Sequence, residues 1–308
     1  MSITVEHLGF AYRKQIPVLK NIGFRAEPGR LVAILGRNGS GKTTLLKMLN
    51  RLLKPDSGRV VIDGDDISGL SHAEIARRVA YMPQTQEAVH CTVFEAVLLG
   101  RKARRAGACD ADDLRRVEQI LDMVRVSHLA MRSTRELSGG ELQKVVLGRA
   151  LAQEPPILLL DEPISHLDPV NQIEVMSLLH EVTRGLQMTS LLVTHDLNSA
   201  IRFADRFILL ADGCIEKAGG REILTPEAVR RMYGIDSVIA DVAGVPVLVP
   251  FVHGRIPHEH VHIHEHVHRG ADGQTYTHRH PHIHQHTHEV DDHVYDHRHG
   301  EHAGRHEH

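Results

Sequence analysis

No run of the sequence approaches the ~18 to 20 consecutive apolar residues that a bilayer-spanning helix needs. If the protein works at a membrane, a partner is expected to supply the span. The opening residues MSITVEHLGF lack the basic and apolar regions of a secretory signal. Cysteine is scarce: Cys91, Cys109 and Cys214 are odd in number and widely spaced, so neither a disulfide framework nor a CxxC metal knuckle is expected, and a reducing cytosol is. A charge excess is missing as well. The 36 Lys and Arg against 39 Asp and Glu leave a formal charge of -3, with no global positive field, and nucleic acid is not expected as a partner.

What is present suits one or two globular domains with a sizeable core: 308 residues, 42% hydrophobic and 24% charged. LVAIL at 31 to 35 reads as a buried strand that runs straight into glycine. Leu45, Leu46, Leu49, Leu52 and Leu53 then repeat at helical spacing, which predicts a helix ending at Lys54-Pro55. Residues 1 to 27 alternate too loosely to fix individual strands. Asp63-Gly64 and Asp212-Gly213 predict tight hairpins, because both residues of such pairs tolerate positive φ. ILLL at 157 to 160 and SLLVT at 190 to 194 predict parallel strands buried on both faces, joined by a helix from Pro169 to about Gly185. A helical insert is expected near 90 to 150, with Leu114, Val117, Leu121 and Val124 on the apolar face of one helix.

Gly36-Arg37-Asn38-Gly39-Ser40-Gly41-Lys42-Thr43 fits G-x-x-x-x-G-K-[ST] between a strand and a helix. Glycines let backbone N–H groups wrap phosphate oxygens, Lys42 reaches the β and γ phosphates, and Thr43 ligates Mg²⁺. ILLLD ends a strand on Asp161, placed for Mg²⁺, and Glu162 follows where a carboxylate can polarise an attacking water.

Together GRNGSGKT, LSGGE at 137 to 141, ILLLDEP at 157 to 163, SHLD at 165 to 168 and His195 after LLVT resemble the ATP-binding subunits of ABC transporters over residues 1 to 252. The resemblance implies an α/β fold: a P-loop ABC ATPase core with an antiparallel β subdomain and a helical subdomain. It implies that ATP is held by Tyr12, stacked on adenine, and by Gly36, Asn38, Gly39, Ser40, Gly41, Lys42, Thr43 and Thr44. It further implies that Gln84 joins Thr43 and Asp161 around Mg²⁺, that Glu162, His195 and Gln84 serve hydrolysis, and that Asp168 crosses a dimer interface. Ser138, Gly139 and Gly140 would bind the γ-phosphate held by the other subunit of a homodimer. Glu141, Lys144, Ile164 and His166 depart from the commoner residues of these motifs without removing a catalytic group.

ARRVAYMPQ at 76 to 84, TVFEAVLLGR at 92 to 101 and the ending at 223 to 250 are similar to importers of iron-siderophore, haem and cobalamin complexes. That similarity implies two transmembrane permease subunits, an extracytoplasmic substrate-binding protein, and a peripheral position on the cytoplasmic face of the membrane. A soluble ABC ATPase of translation or DNA repair, an exporter, and an importer of a non-metal cargo are the competing readings.

The expected division is an ATPase domain over 1–225, a short extension over 226–252 and a histidine-rich tail over 253–308. Of 26 histidines, 19 fall in that tail, which carries -4 with neutral imidazoles and +15 with all of them protonated. His258, His260, His262, His264, His266 and His268 occupy alternate positions, as do His278, His280, His282, His284, His286 and His288. With too few apolar residues for a core, the tail is expected to be disordered and to bind Zn²⁺, Ni²⁺ or Co²⁺.

Overall fold

The computed structural model describes residues 1–13, 16–84, 90–102 and 109–251, and the backbone alone of 255–269 and 275–289. The chain opens with β1 (Ile3–Phe10), β2 (Leu19–Ala26) and β3 (Arg30–Leu35), then α1 (Lys42–Leu49), β4 (Ser57–Ile62) and β5 (Asp65–Asp66). The helical insert and the strands around it follow as α2 (His72–Arg78), β6 (Val79–Met82), α3 (Val93–Arg101), α4 (Ala111–Met123), α5 (Gly139–Leu151) and β7 (Ile157–Asp161). Next come α6 (Pro169–Gly185), β8 (Thr189–Val193), α7 (Leu197–Phe203), β9 (Arg206–Ala211), β10 (Cys214–Gly219) and α8 (Pro226–Tyr233). Hairpins β11 (Asp236–Val242) with β12 (Val245–Phe251) and β13 (Arg255–Arg269) with β14 (Thr275–Glu289) complete the described elements.

A six-stranded sheet of order β10-β9-β3-β8-β7-β6 forms the centre, parallel throughout except for β10 at its edge. Successive residues of β3 alternate between two cores: Leu31, Ala33 and Leu35 face one, Val32 and Ile34 the other. β7 and β9 split in the same way, with Leu158 and Leu160 opposite Ile157 and Leu159, and Phe207 and Leu209 opposite Ile208 and Leu210. Burial on both faces is why these strands read as unbroken apolar runs. The second core also takes α1 and the antiparallel sheet β2-β1-β4-β5.

Both expected hairpins form, with Asp63 at φ 48° before Gly64 at 95°, and Asp212 at 48° before Gly213 at 77°. The helical insert is built from α3, α4 and α5, three of the helices that carry reciprocal caps. Thr92 with Glu95, Asp110 with Asp113, and Ser138 with Glu141 each satisfy two helix-start N–H groups. A Cβ on Gly100 would lie 2.1 Å from the Arg149 carbonyl oxygen, so only glycine lets α3 approach α5 this closely.

Two expectations are corrected. α1 stops at Leu49, not at Lys54-Pro55: the Asn50 side chain accepts a hydrogen bond from Leu52 N at 3.1 Å, Arg51 turns to φ 59°, and Leu52 is left 61% exposed. In α4 Leu114 is exposed and Ile120 joins Val117, Leu121 and Val124 inside, because the buried face begins one turn later. In the tail, expected to be disordered, residues 255–269 and 275–289 pair as antiparallel strands, with Val, Ile and Thr frequent at the positions between the histidines. The expectation for 290–308 lies outside the described residues.

Candidate functional site

β3 delivers the chain from its C-terminal edge into the glycine loop and α1 continues from it. Gly39 and Gly41 take φ 84° and 100°, the left-handed region that side chains disfavour, and a Cβ on Gly36 would stand 2.2 Å from the Leu210 carbonyl oxygen. The loop therefore needs glycine at these turns for backbone reasons. It bends around Lys42, which is buried and donates from Nζ to the carbonyls of Gly36 at 2.8 Å and Arg37 at 2.9 Å. Burial lowers the Lys42 pKa, and the Glu162 and Asp161 carboxylates oppose that shift. A cation so placed is poised to exchange two neutral carbonyls for anionic oxygens.

Asp161 ends β7, one strand removed from β3. It is buried and accepts from Thr43 Oγ1 at 3.0 Å and from Tyr81 OH at 3.2 Å. Burial raises its pKa above the ordinary carboxylate value, against the pull of both donors. Burial, with Asp161 nearby, pushes the Tyr81 phenol far up, so it stays a donor. Tyr81 is the functional neighbour that the sequence reading missed. Its signal was its place in YMPQ, on a strand that runs beside β7.

Glu162 follows with φ 49° and its N–H bonded to the Val193 carbonyl at 2.9 Å. This turn sets its carboxylate between two partners: Gln84 Nε2 donates to Oε2 at 3.1 Å, and His195 Nδ1 stands 3.2 Å from the same oxygen. Glu162 is partly buried, whereas Gln84 and His195 are exposed at the rim. Tyr12 is 61% exposed, lies edge-on to Phe10 with centroids 4.9 Å apart, and touches Thr44 Oγ1 through its hydroxyl at 3.2 Å.

One cavity of about 640 Å³ is lined by Tyr12, Val18, Asn38, Gly39, Gly41, Lys42, Thr43, Thr44, Gln84, Glu162 and His195, with Asp161 buried behind it through its bond to Thr43. The buried Ser40 hydroxyl within the loop has no hydrogen-bond partner among the described residues. With Lys42 and the positive-φ glycines, the donor set fits a nucleotide triphosphate, and Thr43, Asp161 and Gln84 offer oxygen ligands for Mg²⁺. A larger cavity of about 860 Å³, lined by Met1, Met123, Pro155 and Met188 among others, includes none of this phosphate chemistry.

A second group lies outside that cavity. Ser138 caps α5, sharing hydrogen bonds with Glu141 at 2.7 and 2.8 Å, so the Glu141 departure completes a capping box. Asp168 caps α6 and accepts from Asn171 N at 3.0 Å and Nδ2 at 2.6 Å. A Cβ on Gly140 would collide with Asn171 Oδ1 at 2.0 Å, so Asn171 links the Ser138–Gly140 turn to Asp168 within one chain. Neither Ser138 nor Asp168 lines the phosphate-loop cavity.

The ABC transporter family model matches residues 19–165. An ABC transporter ATP-binding protein of Methanocaldococcus jannaschii is 46% identical over 250 residues, spanning 81% of this chain and 98% of the relative. The chain belongs to the ATP-binding subunits of ABC transporters. The ferric enterobactin transport ATP-binding protein of Escherichia coli is 38% identical over 251 residues, covering 80% of this chain and 92% of that one. An inward-facing metal-chelate type ABC transporter shares the fold at TM-score 0.71 and 29% identity, over 82% of this chain and 98% of its own. This ABC ATPase therefore binds and hydrolyses ATP, and subunits of its kind act as dimers with transmembrane permeases. No helix among its described residues is long and apolar enough to cross a membrane.

Proposed function

We propose that this ABC ATPase energises the import of a metal or metal chelate of the iron-siderophore, haem or cobalamin type. It works as a homodimer under two permease subunits, peripheral on the cytoplasmic face of the membrane, with an extracytoplasmic substrate-binding protein delivering the cargo. The cargo class is supported by likeness to a ferric enterobactin transport subunit and to a metal-chelate type transporter. The ATPase domain is assigned to 1–225, the extension to 226–252, and the tail, with transition-metal binding of the Zn²⁺, Ni²⁺ or Co²⁺ class, to 253–308.

One observation carries the mechanism: the Glu162 carboxylate held between Gln84 and His195 at the mouth of the phosphate-loop cavity. Tyr12 stacks on adenine, its ring steadied edge-on by Phe10. Lys42 leaves the Gly36 and Arg37 carbonyls for the β and γ phosphates. Thr43, Asp161 and Gln84 would hold Mg²⁺, which would supply charge neutralisation at the phosphates. Glu162 orients and polarises the attacking water, and His195 fixes the carboxylate and reaches the γ-phosphate.

Ser138, Gly139 and Gly140, outside their own chain's cavity, complete the site of the partner subunit, with Asp168 at the interface. The split supports head-to-tail dimerisation, because an N-terminal helix turn offers N–H groups and a favourable dipole to an anion. The test is Glu162→Gln. It is expected to bind ATP and to accumulate as an ATP-bound dimer, with hydrolysis slowed by about 10² to 10⁴. Turnover near that of the native protein would refute the assigned role.

A further inference from the structure

β13 and β14 pair antiparallel in unbroken register from Arg255↔Glu289 to Arg269↔Thr275. In that register five histidine positions stand directly opposite five others: His258↔His286, His260↔His284, His262↔His282, His264↔His280 and His266↔His278. All ten are at even positions and so share one face of the ribbon. The odd positions pair differently, as Val261↔Ile283 and Glu265↔Arg279 illustrate. A slip of one residue would set every one of these histidines against a different residue type, so the pairing is a property of register and not of composition.

Spacing follows from ribbon geometry. Pro257 and Pro281, which have no N–H to give, both fall at odd positions, as proline must if the odd pairs are the ones without ladder hydrogen bonds. The facing histidines are then the hydrogen-bonded pairs, with Cα atoms about 5.5 Å apart, and the next pair follows after two rises, about 6.7 Å. Two adjacent pairs therefore place four imidazole-bearing residues at the corners of one small rectangle. Imidazole suits borderline transition metals, and a four-nitrogen set suits tetrahedral Zn²⁺. A lone two-stranded ribbon is marginal in water, so an ion shared across the strands would also hold it closed.

We propose that the facing histidines of β13 and β14 form a ladder of transition-metal sites in which each ion is shared between the strands, so that register sets the affinity. The inference rests on the metal-binding reading of 253–308. It adds that histidine content alone is insufficient.

The test uses the full chain and Zn²⁺, with affinity read by competition against a chromophoric chelator and ATP hydrolysis as the control for folding. One variant exchanges neighbours along β13 (H258E/E259H, H260V/V261H, H262I/I263H, H264E/E265H, H266V/V267H), keeping composition but removing all five facing pairs. A second adds H278R/R279H, H282I/I283H and H284Q/Q285H, which restores three facing pairs, at 259/285, 261/283 and 265/279, on the opposite face. The first is expected to weaken the tightest site at least about tenfold, and the second to return it to within about threefold of native; tenfold corresponds to about 1.4 kcal/mol. Equal affinity in all three proteins, or no recovery in the second variant, would overturn the ladder. Failure of the native chain to bind Zn²⁺ while hydrolysing ATP normally would overturn the metal-binding reading beneath it.

Discussion

Gly140→Ala probes the link between the Ser138–Gly140 turn and Asp168. The added Cβ would lie 2.0 Å from Asn171 Oδ1, 2.3 Å from its Cγ and 3.0 Å from its Cβ, so rotating the amide alone does not clear it. Asn171 must swing away and give up its 2.6 Å bond to Asp168. Overpacking of this kind costs about 1 to 3 kcal/mol. The opposing gain from replacing glycine in a helix is at most about 1 kcal/mol and smaller in a first turn. With about 2 kcal/mol for the clash and about 0.5 kcal/mol for the gain the net loss is about 1.5 kcal/mol, a fall in Tm of about 3 to 6 °C at about 2 to 4 °C per kcal/mol. Asn171→Ala removes two of the three clashing atoms while leaving the backbone N–H of residue 171 on Asp168. In that background Gly140→Ala should cost about 1 kcal/mol less, a coupling measurable by thermal unfolding of the four proteins of a double-mutant cycle. Strict additivity would refute the contact. ATP-dependent dimerisation, followed by light scattering, should fall in Gly140→Ala and partly recover in the double variant.

Lys42→Ala removes a cation that makes two hydrogen bonds at the phosphate loop, and nucleotide affinity should fall about 10- to 100-fold, as followed by fluorescent nucleotide titration. Tyr81→Phe removes a donor to the charged form of Asp161. Because burial already raises the Asp161 pKa, its ionisation costs stability as pH rises through that raised value. Nucleotide-free Tyr81→Phe should therefore unfold at a lower temperature than native at pH 7, with the gap narrowing as pH falls toward 3.8. An unchanged Tm at pH 7 would remove Tyr81 from the account.

The elements legible in the sequence are those whose local chemistry is sufficient. The phosphate loop announces itself through glycines between an apolar strand and a helix, and the two Asp-Gly hairpins through their positive-φ pairs. β7 and β8 show as apolar runs because both their faces are buried. β1 and β2 stayed unreadable for a physical reason: their ladder shifts register between Val5 and Leu8 and again between Leu8 and Phe10, which breaks the period of two. The end of α1 is not legible because Asn50 and Arg51 terminate it while the leucine spacing continues. Within the site, the motifs mark Glu162, Gln84 and His195 singly, yet their meeting at one carboxylate oxygen depends on sheet order. Tyr81 and Asn171 act through neighbours far along the chain or across helix starts, which spacing alone does not reveal. The facing histidines likewise needed the ribbon's register.

ATP hydrolysis at Glu162 is proposed to drive uptake of a metal or its chelate. Its most direct test is elemental mass spectrometry of Fe, Co, Ni and Zn in cells carrying the native protein or Glu162→Gln, grown under metal limitation. Selective loss of one of these elements is expected in the variant. Unchanged content of all four, or a gain in one, would contradict it.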